Sequence, residues 1–327
     1  MKCFFRIICC ITMFVSCTTT KKETTLTKDY STIRSFEVTH AVLSSGKLIR
    51  VDSFSSKYIP ARPVDVWLPN NYSKNKKYAV LYMHDGQNLF DATTTWNKQE
   101  WQADEVISKL NNKKAIQDVI VVAIHNISEI RFLEYYPKKS LELLPTTVMD
   151  SIIEDAYKSG YPLAKKDFTG DNYLKFMVEE LKPYIDATYS TKAEPENTYV
   201  AGSSMGGLIS MYAMCEYPHI FGNAACLSTH WLGLVYLPNK PVASISYSIL
   251  NYLKTNVPSP KTHRFYFDSG TKDVDQYYGQ YKSFVDQIFK SKGYSDSNYL
   301  NLSFDGEGHS ENAWQKRLDI PLEYLLR

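Results

Sequence analysis

Thr198-Tyr199-Val200-Ala201-Gly202-Ser203-Ser204-Met205-Gly206-Gly207-Leu208-Ile209 runs from a short β-rich stretch through small residues into a helical repeat. Thr198 to Ala201 has the make-up of a buried strand, and Leu208, Ile209, Tyr212 and Cys215 recur at helical spacing. Between them stands G-x-S-x-G, with Ser204 at its centre and Ser203 beside it. Strand, turn and helix in that order make the pattern a nucleophile elbow, in which small residues at 202 and 206 permit a tight turn that presents a serine hydroxyl. The helix starting there directs backbone N–H groups towards developing negative charge.

Around the elbow, Tyr78 to Met83, Val119 to Ile124, Gly222 to Leu227, Arg264 to Phe267 and Tyr299 to Phe304 are apolar strand-like runs alternating with helix-period segments. Such strands imply a parallel sheet covered on both faces, an α/β architecture. Phe36 to Leu43, Leu48 to Asp52 and Pro63 to Leu68 have no helical period between them and predict antiparallel strands that open the sheet. Tyr173 to Ile185 predicts a helix through the i, i+3, i+4 spacing of its apolar residues, with Pro183 placed to kink the last turn.

A serine hydroxyl is a poor nucleophile at neutral pH unless a base takes its proton, and a carboxylate then fixes the base's tautomer. Downstream of Ser204 an acid and a histidine follow in the order this chemistry uses. The strand Arg264 to Phe267 runs into Asp268-Ser269-Gly270-Thr271-Lys272-Asp273, and the strand Tyr299 to Phe304 runs into Gly306-Glu307-Gly308-His309. His309 is the candidate base and Asp273 the candidate acid, with Asp268 and then Asp275 as alternatives; Asp268 also suits a residue that bonds its own loop. For the oxyanion, the candidate backbone donors are Met205 and, in the loop His84-Asp85-Gly86-Gln87-Asn88, Gly86 or Gln87.

Other residues have a place near such a site. His84 stands too early in the chain for the base and reads as structural. His125 and His230 end strands and could face the cleft, although packing or solvation is the commoner role. Trp96, Trp101, Trp231 and Trp314 could stack on a sugar or aryl group, and His230 with Trp231 is the candidate substrate-binding pair. The chain carries no HExxH, CxxC pair, Walker A or strand-GxGxxG-helix pattern, so no metal and no cofactor is implied.

The 327 residues are 44% hydrophobic and 14% aromatic, enough for one large core. Lys2 and Arg6 precede the apolar run Ile7 to Val15, which is too short to span a bilayer and reads as a signal peptide over residues 1–17. Phe14-Val15-Ser16-Cys17 is similar to a bacterial lipoprotein cleavage box, which makes Cys17 the candidate lipidation site and the membrane a partner through that anchor. Without this segment the basic and acidic side chains balance at 35 each, down from 37 and 35, so no nucleic-acid footprint is expected. Residues 18–34 read as a polar tether and 35–327 as the catalytic domain. Of six cysteines only Cys215 and Cys226 bear on the fold, and two buried free thiols are expected there, with a bridge the alternative.

Together these residues resemble the esterase family of α/β-hydrolases that includes acetyl xylan and feruloyl esterases, enterobactin-type siderophore esterases and S-formylglutathione hydrolase. The resemblance runs from about residue 60 to the C-terminus. It rests on Tyr82 to Asp91, on Arg131 with Glu134-Tyr135 and Pro137, on Gly202 to Gly207, on Gly270 with Asp273, and on His309 with Glu311, Trp314 and Arg317. It implies an α/β-hydrolase fold and a triad of Ser204, Asp273 and His309. His125 stands where many relatives have aspartate, and His230 lies in a segment where proline is common. Lys138 to Phe168 reads as an insertion, either a cover for the cleft or a surface excursion. The expected function is exported ester hydrolysis through an acyl-enzyme, on a polysaccharide-linked or small-molecule ester such as an acetyl or feruloyl ester of plant polysaccharide. The alternatives are a periplasmic siderophore esterase, an acyltransferase, and a non-catalytic glycan-binding lipoprotein.

Overall fold

A computed structural model describes Met1, residues 30–158, Gly160, 163–233 and 243–327. The signal peptide, Cys17 and most of the tether lie outside the described residues. Ile33–Arg327 forms one compact unit. Its strands are β1 (Phe36–Glu37), β2 (Lys47–Phe54), β3 (Arg62–Leu68), β4 (Ala79–His84), β5 (Val119–Ile124), β6 (Thr198–Ser203), β7 (Asn223–Leu227), β8 (Arg264–Gly270) and β9 (Tyr299–Phe304). They make one nine-stranded sheet in the order β1-β2-β3-β5-β4-β6-β7-β8-β9. The first three strands join antiparallel, ending at β5, and β5 through β9 run parallel. This is the α/β-hydrolase arrangement that the strand pattern predicts.

Every residue of β4, β5, β6 and β7 is buried, which a sheet achieves only when both faces are covered. Helices α1 (Ala103–Asn112) and α2 (Asp319–Leu326) cover one face, where Ile107, Leu110, Leu322 and Leu325 pack with Leu81, Val121 and Ala201. Residues of the other parity, Val80, Tyr82 and Val200 among them, are equally buried, and α3 (Met205–Glu216) runs along β6 and β7. The expected helix around Tyr173 spans residues 170–188, and Phe176–Leu181 within it is a π-helical segment. Pro183 supplies no N–H and crowds the carbonyl of residue 179, which the wider turn accommodates.

Chain order reverses at β4: β5 lies on one side of it and β6 on the other. Loops leaving the carboxyl ends of β4 and β6 therefore diverge and leave a crevice, the place where open parallel sheets hold ligands. Cys215 and Cys226 are free thiols, and burial raises both above the ordinary thiol range. No described helix is long and apolar enough to cross a membrane.

Candidate active site

Ser204 sits at φ 57° and ψ −121°, between the end of β6 and the first turn of α3. A non-glycine residue in that region costs on the order of 1–3 kcal/mol, and its surroundings hold it there. The Ser204 N–H donates to Leu227 O at 2.9 Å, and the His230 N–H donates to Ser204 O at 3.2 Å. Gly202 and Gly206 make the turn possible, because a Cβ on Gly202 would stand 2.7 Å from the carbonyl carbon of Gly206.

His309 Nδ1 lies 2.5 Å from Asp275 Oδ1, and Asp275 is fully buried. This corrects the expected acid, Asp273, whose carboxylate instead accepts the backbone N–H of His309 at 3.2 Å. The reason is local. Beyond β8 the chain enters a 3₁₀ turn, Asp273–Tyr277, in which residues two apart project to different sides. Asp273 opens that turn at φ 54° and holds the histidine's backbone, while Asp275 turns inward beneath the ring.

Ser228, which carries no motif, completes the acid's surroundings. Asp275 Oδ2 accepts the Gly270 N–H at 2.6 Å and the Ser228 hydroxyl at 2.5 Å. That hydroxyl in turn lies 2.9 Å from Trp314 Nε1 and 2.9 Å from an Arg317 guanidinium nitrogen. Indole and guanidinium nitrogens only donate, so the single Ser228 proton is directed to Asp275. Asp268 is the partner of Arg317, with contacts of 3.0 and 3.1 Å, and also accepts the Ser228 N–H and the Tyr266 hydroxyl. Burial nevertheless keeps Asp268 above the ordinary carboxylate range. Its role is to hold Arg317 and Ser228 in place.

The loop after β4, the candidate oxyanion loop, is clamped as firmly. Asp85 adopts a left-handed conformation, and its carboxylate accepts Arg131 Nε at 2.6 Å, a second Arg131 nitrogen at 2.8 Å and Asn126 Nδ2 at 2.6 Å. Burial alone would raise Asp85; the Arg131 charge and these bonds outweigh it and hold the carboxyl low. Gln87 Oε1 accepts the Asn126 N–H at 3.1 Å. Gly86 packs on β5, where a Cβ would stand 2.6 Å from Ala123 C, whereas Gln87 lines the cavity that contains Ser204.

Behind Ser204, the Tyr278 hydroxyl is close to the Ser204 side chain and lies 2.7 Å from His230 Nδ1. His230 Nε2 is 3.1 Å from the Gly233 carbonyl, which can only accept. The ring therefore carries its proton on Nε2, and Nδ1 accepts from Tyr278. Burial brings His230 down to about 3, so it is neutral under ordinary conditions. His230 and Trp231, the expected substrate contacts, are both buried, and Trp231 packs on Phe267.

The cavity measures about 460 Å³ and is lined by Ser204, His309, Gln87, Asn88, Arg131, Glu311 and their neighbours. Trp96, Trp101 and Trp314 also line it, and Trp96 is 84% exposed. None of the described residues in 138–168 lines it, which favours the surface excursion over a cover. His125 bonds Asp65 at 2.8 Å, and His84 bonds the Tyr173 hydroxyl at 2.8 Å, so both are structural. No cluster of three or more potential metal ligands occurs among the described residues.

A family model described as "Putative esterase" matches residues 56–324. The chain is 23% identical to the uncharacterized protein YbbA of Bacillus subtilis over 273 residues, covering 81% of this chain and 92% of the relative. It is also 23% identical to an endo-1,4-beta-xylanase/feruloyl esterase of Xylanibacter ruminicola over 87% of this chain, which corresponds to 32% of that larger protein. Among solved structures, the enterochelin esterase of Shigella flexneri superposes with a TM-score of 0.58 at 16% identity, over 87% of this chain and 59% of that one.

Proposed function

The chain belongs to the putative esterase family, and from that premise we propose that it is an exported serine hydrolase that cleaves a carboxylic ester through an acyl-enzyme. The observation that carries this reading is the His309–Asp275 pair at the mouth of the cavity that contains Ser204. Ser204 attacks the acyl carbon and its proton passes to His309, whose imidazolium Asp275 stabilises. The backbone N–H groups of Met205 and Gln87 receive the oxyanion, on loops that need not rearrange as charge develops. His309 protonates the departing alkoxide, and then activates water to release the acid.

A neutral, hydroxyl-bearing ester such as an acetyl or feruloyl ester of a polysaccharide fits the cavity's charge. Arg131 is already paired with Asp85, and Glu311 adds a negative group, so a multiply anionic iron complex would meet no positive field. The feruloyl esterase relative supports the same substrate class. The signal-like N-terminus supports export, and Cys17 is the proposed lipid anchor that tethers the domain to a periplasmic or outer membrane surface.

The test is hydrolysis of aryl acetate, butyrate and ferulate by protein lacking residues 1–17, beside Ser204→Ala. A serine site predicts a loss of roughly 10⁴-fold or more in the variant and labelling of Ser204 by a fluorophosphonate. Equal rates with no labelling would refute it.

A further inference from the structure

We propose that the side of the cavity next to His309, built from Trp96, Asn97, Asn88 and Glu311, binds the alcohol portion of the ester and selects a glycosyl unit there. The inference rests on the esterase reading above. Its direction comes from the base: His309 returns its proton to the leaving alkoxide, so the alcohol oxygen departs beside the imidazole. The rest of the alcohol then lies over the residues that follow His309 in the chain and over their partners.

Glu311 is the central group of that surface. It is buried to 8% exposure and accepts Asn97 Nδ2 at 2.7 Å and Asn88 Nδ2 at 3.4 Å. A carboxylate has about four acceptor positions, and no ion pair to Glu311 occurs among the described residues. This surface therefore has acceptors to spare and calls for donors, which hydroxyl groups supply.

Trp96 adds the apolar half of the recognition. Trp101 and Trp314 are buried against each other, with ring centroids 5.5 Å apart, so packing accounts for them. Trp96 stands at 84% exposure on the cavity rim, where packing accounts for nothing. An exposed indole beside a carboxylate and planar amides fits a pyranose, which has a C–H face for the ring and hydroxyls for the acceptors. A purely aromatic or alkyl alcohol would cover Trp96 but desolvate the Glu311 carboxylate without replacing its partners.

The experiment holds the acyl group constant and compares kcat/KM on an acetylated methyl xyloside with kcat/KM on ethyl acetate. Wild type, Trp96→Ala and Glu311→Gln are measured, with thermal unfolding as the check on folding. The ratio of sugar ester to ethyl ester is expected to fall by about tenfold or more in each variant, the worth of one lost contact to a charged or stacked group. An unchanged ratio, whether or not both rates fall, would overturn the inference. Wild type no faster than Ser204→Ala on both esters would instead overturn the hydrolase reading beneath it.

Discussion

Asp275 and His309 meet at 2.5 Å, oxygen to Nδ1, with the carboxylate wholly out of solvent. The neighbouring Asp273 reaches only the backbone of the same histidine. Two acids two residues apart thus divide one task, one orienting the ring and the other its loop.

Asp275→Asn is expected to lower kcat by about 10³- to 10⁴-fold, because an amide no longer stabilises the imidazolium and allows the wrong tautomer. Asp273→Asn keeps an acceptor for the His309 N–H and is expected to lose less than about tenfold, since a single neutral hydrogen bond is worth on the order of 1 kcal/mol. Steady-state hydrolysis of an aryl acetate separates the two; the reverse order would restore Asp273 as the acid.

Ser228→Ala removes one donor to Asp275 and leaves Trp314 Nε1 and an Arg317 nitrogen facing a methyl group. Each buried donor left without a partner costs roughly 1–3 kcal/mol, so the urea midpoint should fall clearly while the m-value stays constant. Activity should fall as well, through a less firmly held Asp275. A variant as stable as wild type would show that water replaces the hydroxyl.

Tyr278→Phe takes away a hydroxyl that stands close to Ser204 in the resting state. Interactions made before the transition state do not lower the barrier, so kcat per folded molecule should change by less than about tenfold. Stability should drop by about 1–3 kcal/mol, because His230 Nδ1 loses its only donor. A collapse in kcat comparable to that of Asp275→Asn would instead make Tyr278 part of the chemistry.

Two buried histidines should cost the protein stability as pH falls from about 6.5 towards 3, a loss that two raised carboxyls offset above about 4.5 and leave uncompensated below it. His84 and His230 are brought down to about 3 by burial, against 6.5 when exposed, so over that window the unfolded chain binds protons that the folded chain does not. Each histidine contributes a slope of up to about 1.4 kcal/mol per pH unit, positive with rising pH. Glu100 and Glu105 act oppositely: burial first, then nearby acids including Asp104, raise both to about 7, which removes stability as pH rises from 4.5 through 7. Glu100→Gln and Glu105→Gln should therefore be more stable than wild type at pH 8, and chemical denaturation at pH 4, 6 and 8 checks both signs.

Strands were legible where burial on both faces makes a run continuously apolar. Val119 to Ile124 coincides with β5 for that reason, the half-exposed edge strand β9 was read from Tyr299 to Phe304 without it, and the elbow follows directly from its glycines. His309 was legible because, of the four histidines after Ser204, it alone also follows the candidate acids. The acid was not, since choosing among 268, 273 and 275 depends on the 3₁₀ turn, and both Asp273 and Asp275 do bond His309. Ser228 and Tyr278 gave no local signal, as their importance arises from partners 47 and 74 positions away along the chain. The tryptophans show the same limit: Trp231 and Trp96 differ in burial, which composition around them does not encode.

The Ser228 hydroxyl, with one proton given and two received, has a consequence for how descendants of this chain can drift. Alanine at 228 strands two donors, and loss of either Trp314 or Arg317 leaves the hydroxyl free to rotate away from Asp275. Each single step is penalised although each end state, all three present or all three replaced, is self-consistent. Among diverging copies, positions 228, 314 and 317 should therefore change as a set.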